Sequence, residues 1–298
     1  MKCLRWLPLI GVGLWGAVLL TIEILVQTRD RYKGGIAMPY ISDAGGLKPG
    51  YYVFAIGGTI ASALLFAQHL FFSPRYISAI SSTNSLAASS RCLKGWWYTA
   101  CALACVAAVA LILVTWFDTY DSEDVHFYSA ATFFLLTAIA LTVFTVCSTA
   151  IYFAKPRPLQ SNTQPPKTTT PSMATLWPLK LAMTAIFWIS VIIYLPIGSV
   201  VACESQRLPL DSDYCARNED FCEDMALPEG DDAGGSCEEP PCTKLWDYSD
   251  CAGTNLMRSI SQLFCVVLLI GFQATFVSEN TVLFSQKQAM GIWDGSSV

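Results

Sequence analysis

The sequence predicts an all-α polytopic membrane protein, a six-transmembrane-helix bundle with a Cys-rich luminal loop. Three observations lead there. The hydrophobic residues, 53% of the chain, fall in blocks rather than in a helical or strand period. Six blocks reach the roughly 20 apolar residues that a hydrocarbon core about 30 Å thick demands. Six of the 12 cysteines crowd into one acidic segment. Inside lipid each backbone amide and carbonyl must be satisfied internally, so spans of this length are helices.

The expected spans are residues 6–26, 51–72, 96–116, 127–153, 181–202 and 256–277. Lys2 and Arg5 before the first run also suit a signal peptide. The run is longer than an h-region of about 7–15 residues and no small-x-small site stands directly before Glu23, so an uncleaved first helix is expected. Tyr51, Tyr52, Trp96, Trp97, Trp116, Tyr128, Tyr152 and Trp177 fall near span ends, as an interfacial aromatic belt requires. Loop two (73–95) is Ser-rich, and loop four carries Pro156, Pro158, Pro165, Pro166 and Pro171; both read as mobile cytosolic connectors. Loop three, Asp118 to Asp124, is acidic but lacks the ligand order and central Gly of an EF-hand, so it reads as a turn. The chain divides into residues 1–200 with five spans, the Cys-rich loop 201–253, and the sixth span with a cytosolic tail, 254–298.

Orientation follows from charge and cysteine together. Lys2, Arg5, Arg75, Arg91, Lys94, Lys155, Arg157, Lys167, Lys180 and Lys287 fall on the side of both termini, against fewer on the other, so the termini are expected in the cytosol. Cys203, Cys215, Cys222, Cys237, Cys242 and Cys251 share loop five, and disulfides persist on the oxidising side. Their even number in a Gly/Pro/Asp-rich stretch reads as three internal bridges, with little core of the loop's own. Zinc is the weaker reading, because the loop has no histidine and only Cys237 and Cys242 approach ligand spacing. Cys3 and Cys92, at the cytosolic boundary, are candidates for palmitoylation, while Cys101, Cys105, Cys147 and Cys265 read as small hydrophobes.

Several function classes drop out. No basic run interleaved with aromatics suggests nucleic acid. P-loop, H-E-x-x-H, G-x-S-x-G and dinucleotide fingerprints are missing, and His69 and His126 are the two histidines, so no metal or cofactor is expected. The last three spans do not repeat the first three, which counts against an inverted-repeat transporter.

Loop one contains Pro39, Tyr40, Ile41, Ser42, Asp43, Ala44 and Gly45, a turn-forming run in which Pro fixes φ, Ser and Asp bond nearby amides, and Gly permits the turn. This P-Y-I-S-D-x-G segment resembles the most specific mark of the DRAM/Frag/Sfk family, the six-span group of autophagy modulators, GPI-anchor remodelling proteins and fungal lipid regulators. Trp116–Phe117–Asp118 followed by Val125–His126 is similar to the family's junction of spans three and four. Two departures stand out. Relatives usually join spans five and six by a short connection, whereas this chain inserts the Cys-rich loop, and Gln262 stands near the place where many relatives carry an acidic-aromatic pair.

The resemblance implies a non-enzymatic integral membrane regulator or adaptor acting on lipid organisation, autophagy or lipid-anchored protein maturation. It would reside in an endomembrane (lysosome or vacuole, Golgi, ER) or the plasma membrane, with membrane lipids and membrane proteins as partners. A lipid-remodelling enzyme is the first rival and would need His126 as its imidazole. A channel or transporter is the second, and the polar groups within spans are expected to cluster towards one end of the bundle. At the luminal mouth, Glu23 and Arg258 are expected to meet across spans one and six, with Gln262 on the Arg258 face and His126 nearby. Tyr40 and Asp43 would cap this patch, which serves either as a packing pair or as a lipid head-group site.

Overall fold

The structure is a computed structural model and describes residues 6–29, 31–81, 87–154, 173–197, 206–228 and 241–289. Helix α1 (Leu7–Thr28) leads to a short α2 (Ile41–Gly46), then α3 (Gly50–Ser81), α4 (Ala87–Trp116), α5 (Glu123–Ala154) and α6 (Met173–Ile192). A π-helical turn, Ile193–Ile197, extends α6. Between it and the last helix lie β1 (Gln206–Pro209), α7 (Asp213–Arg217), α8 (Glu219–Asp224), β2 (Cys242–Asp247) and a 3-10 turn, Ser249–Cys251. The last helix is α9 (Ala252–Ala289).

Six helices are long and apolar enough to cross a membrane: Leu7–Thr28, Gly50–Phe71, Arg91–Trp116, Glu123–Ala150, Leu176–Pro196 and Ser249–Glu279. Pro8 sits in the first turn of α1, where a missing amide hydrogen costs nothing. The α-helical ladder of α6 gives way to the π turn where Pro196 has no amide hydrogen to donate to Ile192. The fifth span begins at Leu176, ahead of the expected residue 181. Loop two is also largely helical, since α3 runs on to Ser81 and α4 starts at Ala87. Serine costs a helix only a few tenths of a kcal/mol, and helical bonding does not stop at the bilayer surface. Residues 155–172, most of loop four, and Cys3 lie outside the described residues.

The spans pack in sequence order, α1 on α3, α3 on α4, α4 on α5, α5 on α6 and α6 on α9, and α9 returns to α1 to close a ring. The interior is filled by Trp15, Phe54, Phe133, Phe144, Phe187, Phe272 and Phe276, while Leu20, Ile24, Ile56, Val146, Ile189 and Val267 face outwards. Lipid is as apolar as these side chains, so close packing and interhelical hydrogen bonds hold the ring. Gln68 on α3 donates to Gln273 on α9 at 2.5 Å, and the hydroxyls of Thr145 and Thr184 pair at 2.9 Å between α5 and α6.

Lys180 on α6 and Glu279 on α9 form an ion pair at 2.7 Å with side chains 0% and 2% exposed, so neither reaches out to water. Ser148 accepts a further bond from Lys180 at 3.2 Å, and the ammonium lies 4.2 Å from the Phe276 ring centroid. Lys180 had been expected in a cytosolic loop, just outside span five. Each charge makes the other tolerable, and a hydropathy reading of either segment alone rejects both. Buried polar groups therefore occupy both ends of the bundle rather than one.

At the other end loops one, three and five form a cap. Strands β1 and β2 pair antiparallel, with Arg207 opposite Trp246 and Pro209 opposite Cys242. The loop has a small core after all, because Leu208, Cys215, Cys222 and Leu245 pack with Leu47 of loop one and Tyr120 of loop three. The Tyr32 ring packs tilted against Tyr214 at 5.0 Å and the Arg31 guanidinium lies 4.3 Å from the Phe221 ring centroid. Gly34, at φ 69°, accepts at its carbonyl from the Tyr248 amide at 2.8 Å, and a side chain there would collide with the Tyr248 ring. Cys215 and Cys222 are joined in a disulfide, and Cys242 and Cys251 each take part in one. Cys203 and Cys237 lie outside the described residues.

Trypsin cleavage after Arg217 is expected to leave the Cys215 peptide attached to the Cys222 peptide until reduction; free thiols at both positions would contradict the bridge. For the ion pair, Glu279→Ala is expected to cost about 3–5 kcal/mol by stranding Lys180, whereas Lys180→Met with Glu279→Leu should recover most of the loss. Thermal unfolding in detergent measures both, and a double variant no better than the single one would argue against a pairwise cost.

A polar chamber beneath the cap

The P-Y-I-S-D-x-G segment is not a simple turn. Tyr40 is extended, at φ −63° and ψ 143°, and Ile41–Gly46 then winds into α2. Three bonds fasten this run to α9. Ser259 donates to the Pro39 carbonyl at 2.8 Å, the Tyr40 hydroxyl donates to Asn255 at 2.9 Å, and the Ile41 amide donates to the Gln262 side-chain oxygen at 2.9 Å. Gly45 lies so close to Phe54 of α3 that an added Cβ would meet the ring at 2.6 Å. The motif is thus wedged between the start of α3 and the inner face of α9.

That wedge presents Asp43. Although 8% exposed, its carboxylate accepts hydroxyl bonds from Tyr248 of the cap at 2.9 Å and Thr119 of loop three at 3.1 Å. The Tyr120 hydroxyl donates to its backbone carbonyl at 3.2 Å. Burial pushes the carboxyl up from its ordinary value of 3.8 to about 6, while the two hydroxyl donors and the Arg207 charge oppose the rise. Burial and the nearby Asp43 charge raise the Tyr248 hydroxyl as well, so it stays a donor.

Around Asp43 lies a cavity of about 160 Å³ lined by Tyr40, Ser42, Thr119, Glu123, His126, Tyr194, Trp246, Tyr248 and Arg258 among others. The bundle supplies its walls, and the Cys-rich insertion supplies Trp246 and Tyr248. Arg207 stiffens the rim. Its guanidinium stacks 3.5 Å from the Trp246 ring centroid, donates to the Lys244 carbonyl at 2.6 Å and reaches Glu123 at 3.4 Å. Lys244 in turn meets Asp121 of loop three at 2.5 Å.

Arg258 enters from α9 and is half-buried. Its Nε donates to the Tyr194 carbonyl at 3.4 Å, and the guanidinium carbon lies 5.7 Å from the Tyr40 ring centroid. Among the described residues no carboxylate pairs with it. Gln262 bridges the site's two walls, donating to the Tyr194 hydroxyl at 3.2 Å while accepting from Ile41. His126 donates from Nδ1 to the Phe117 carbonyl at 2.6 Å, since a carbonyl can only accept. Its buried Nε2 has no hydrogen-bond partner among the described residues.

Tyr40, Asp43, His126 and Arg258 line this chamber and Gln262 lies beside it on Tyr194 and Ile41, but Glu23 is not with them. It is half-buried on α1, accepts from Gln27 one turn on at 2.8 Å and does not pair with Arg258. An exposed neighbour four residues away satisfies the carboxylate without crossing the bundle. Thr119, Tyr194, Arg207, Trp246 and Tyr248 were not anticipated. Tyr194 and Trp246 carried one usable signal, an aromatic at a span end or beside a strand-like run.

Six crossing helices around a polar chamber, closed at one end by a disulfide-bearing cap, define a polytopic α-helical membrane protein. The chain belongs to the family described as the Frag1/DRAM/Sfk1/Cwh43P N-terminal domain, which matches residues 3–279. Neither the curated proteins nor the solved structures contain a match to it.

A carboxyl raised on folding binds protons more tightly in the folded state, so its contribution is full below pH 3.8 and lost as pH rises through about 6. Stability is expected to increase by at most about 3 kcal/mol between pH 7 and pH 4 through this group. Asp43→Asn should flatten that dependence without lowering stability at pH 7. Thermal unfolding across the range checks it, and identical slopes for both proteins would exclude Asp43 as the source.

Proposed function

We propose that the protein is a non-enzymatic membrane regulator that holds a lipid head group in the chamber beneath its cap and so influences lipid organisation. The termini then face the cytosol and the cap lies on the luminal or extracellular side, where its cysteines oxidise. Autophagy or the maturation of lipid-anchored proteins would be affected through the lipid held. The observation that carries this reading is Arg258, a half-buried cation on the wall of a cavity of about 160 Å³ with no carboxylate partner among the described residues. A guanidinium in a span is expensive unless an anion or water meets it, and a head group supplies both charge and hydrogen-bond acceptors.

The enzyme reading has less support. His126 commits Nδ1 to the backbone, and of the hydroxyls lining the chamber Thr119 and Tyr248 donate to Asp43. For the channel reading, the buried ion pair of α6 and α9 plugs the far end of the bundle interior with paired charge rather than an open path.

Arg258→Met keeps the length of the side chain and removes its charge. The variant is expected to insert and melt like the wild type while losing most co-purifying lipid, measured by mass spectrometry after extraction in mild detergent. It should also fail to restore the lipid distribution of cells lacking the protein. Unchanged lipid together with full restoration would overturn the proposal and leave Arg258 a packing residue.

A further inference from the structure

On the outer surface of the bundle, α6 and α9 leave an open groove of about 470 Å³. Its walls are almost wholly apolar: Ile186, Ser190 and Ile193 on one side, Met257, Ile260 and Phe264 on the other. The volume falls within the roughly 300–1,000 Å³ typical of small-ligand sites. Ile186, Met257, Ile260 and Phe264 are exposed within membrane-crossing segments, so the groove opens to the acyl-chain region rather than to water.

Arg258 crosses the same seam. Its Nε bonds the carbonyl of Tyr194, the residue after groove-lining Ile193, and Met257 beside it on α9 lines the groove. Arg258 and Tyr194 also line the chamber. One side chain and one backbone carbonyl thus separate an apolar groove from a polar cavity.

We propose that groove and chamber are two halves of one site for a single glycerophospholipid, with an acyl chain along the α6–α9 groove and the phosphate on Arg258. This rests on the reading of the chamber as a head-group site and adds the class of lipid and the path of its chain. A second apolar helix could cover the groove but would bring no anion to Arg258. A phospholipid brings phosphate and chain in one molecule. Phosphate rather than a fatty-acid carboxylate fits the donor set. The Tyr194 hydroxyl accepts from Gln262 and so keeps its own proton to donate, and the Ser42 hydroxyl lines the same cavity, offering three donor groups with Arg258. A guanidinium and two hydroxyls match several phosphate oxygens better than two carboxylate oxygens.

The test uses the full chain in nanodiscs of an uncharged detergent-like lipid, titrated with phosphatidic acid, diacylglycerol, oleate or inorganic phosphate. Ile260→Trp fills the groove without touching the chamber, and Leu113→Trp places the same ring on an exposed outer position of α4 as a control. Wild type is expected to retain phosphatidic acid at least about tenfold better than diacylglycerol, oleate or inorganic phosphate, and Ile260→Trp and Arg258→Met should each lose about that factor while Leu113→Trp does not. Loss in Arg258→Met with full binding in Ile260→Trp would overturn the shared site yet leave the head-group reading standing. Full binding in both variants would overturn both. Oleate retained as well as phosphatidic acid would overturn the phosphate assignment, and inorganic phosphate retained as well would overturn the role of the chain.

Discussion

The inward face of α9 is the constraint on which the rest of the bundle depends. Asn255, Ser259, Gln262, Val266, Leu269, Gln273 and Phe276 are all buried, and their spacing alternates between four and three residues, the seam of a helix packed from Asn255 to Phe276. The polar members each face a different partner: Tyr40, the Pro39 carbonyl, Ile41 with Tyr194, and Gln68. Glu279 adds Lys180 beyond them. Hydrogen bonds between membrane helices average only about 0.6 kcal/mol, so no single one closes the ring. What they give together is register. A slide of α9 by one turn would strand an amide, a carbonyl and two side-chain amides in a medium that cannot hydrate them.

The chamber exists because two pieces of different character meet there. Its walls and floor come from the resemblance-bearing segment, loop three, α5, the π turn and α9, and its roof from the Cys-rich insertion. Tyr248 is the join, since its amide bonds Gly34, its ring meets Tyr40 edge-on at 5.2 Å and its hydroxyl bonds Asp43. A cap that merely hung from the membrane by its two ends would leave Asp43 to water. Here the cap shares a core with loops one and three, which keeps the carboxyl dry and lifts its proton affinity.

The six spans were legible because length and apolarity are properties of one segment at a time. Tyr40, Asp43, His126, Arg258 and Gln262 could be grouped from sequence because loop one and the adjoining ends of spans four and six fall on one side of the bundle. What escaped needed two segments read together. Lys180 and Glu279 each looked like a charge just past a span, and only their pairing explains why both are buried. The Glu23–Arg258 pairing failed for the opposite reason: equal depth says nothing about which way a side chain faces round a helix, and Gln27 was nearer. The core of the cap was hidden because Leu47, Leu208 and Leu245 come from two separate loops. Gln262, which looked like a missing family feature, proved to be the residue that ties α2 to the π turn after α6.

The closure of the ring by α1 and α9 has a bearing on how the chain is made. Helices enter the bilayer in the order of synthesis, and the contacts from α1 through α6 can form between successive arrivals. The partners of Gln68, Tyr40 and Lys180 all reside on α9; Lys180 precedes Glu279 by 99 residues. Until α9 arrives, Lys180 lacks its carboxylate and Gln68 its amide partner, in a medium that cannot hydrate them. The final span thus acts as a keystone: one late insertion satisfies the waiting polar groups, closes the ring and completes the chamber.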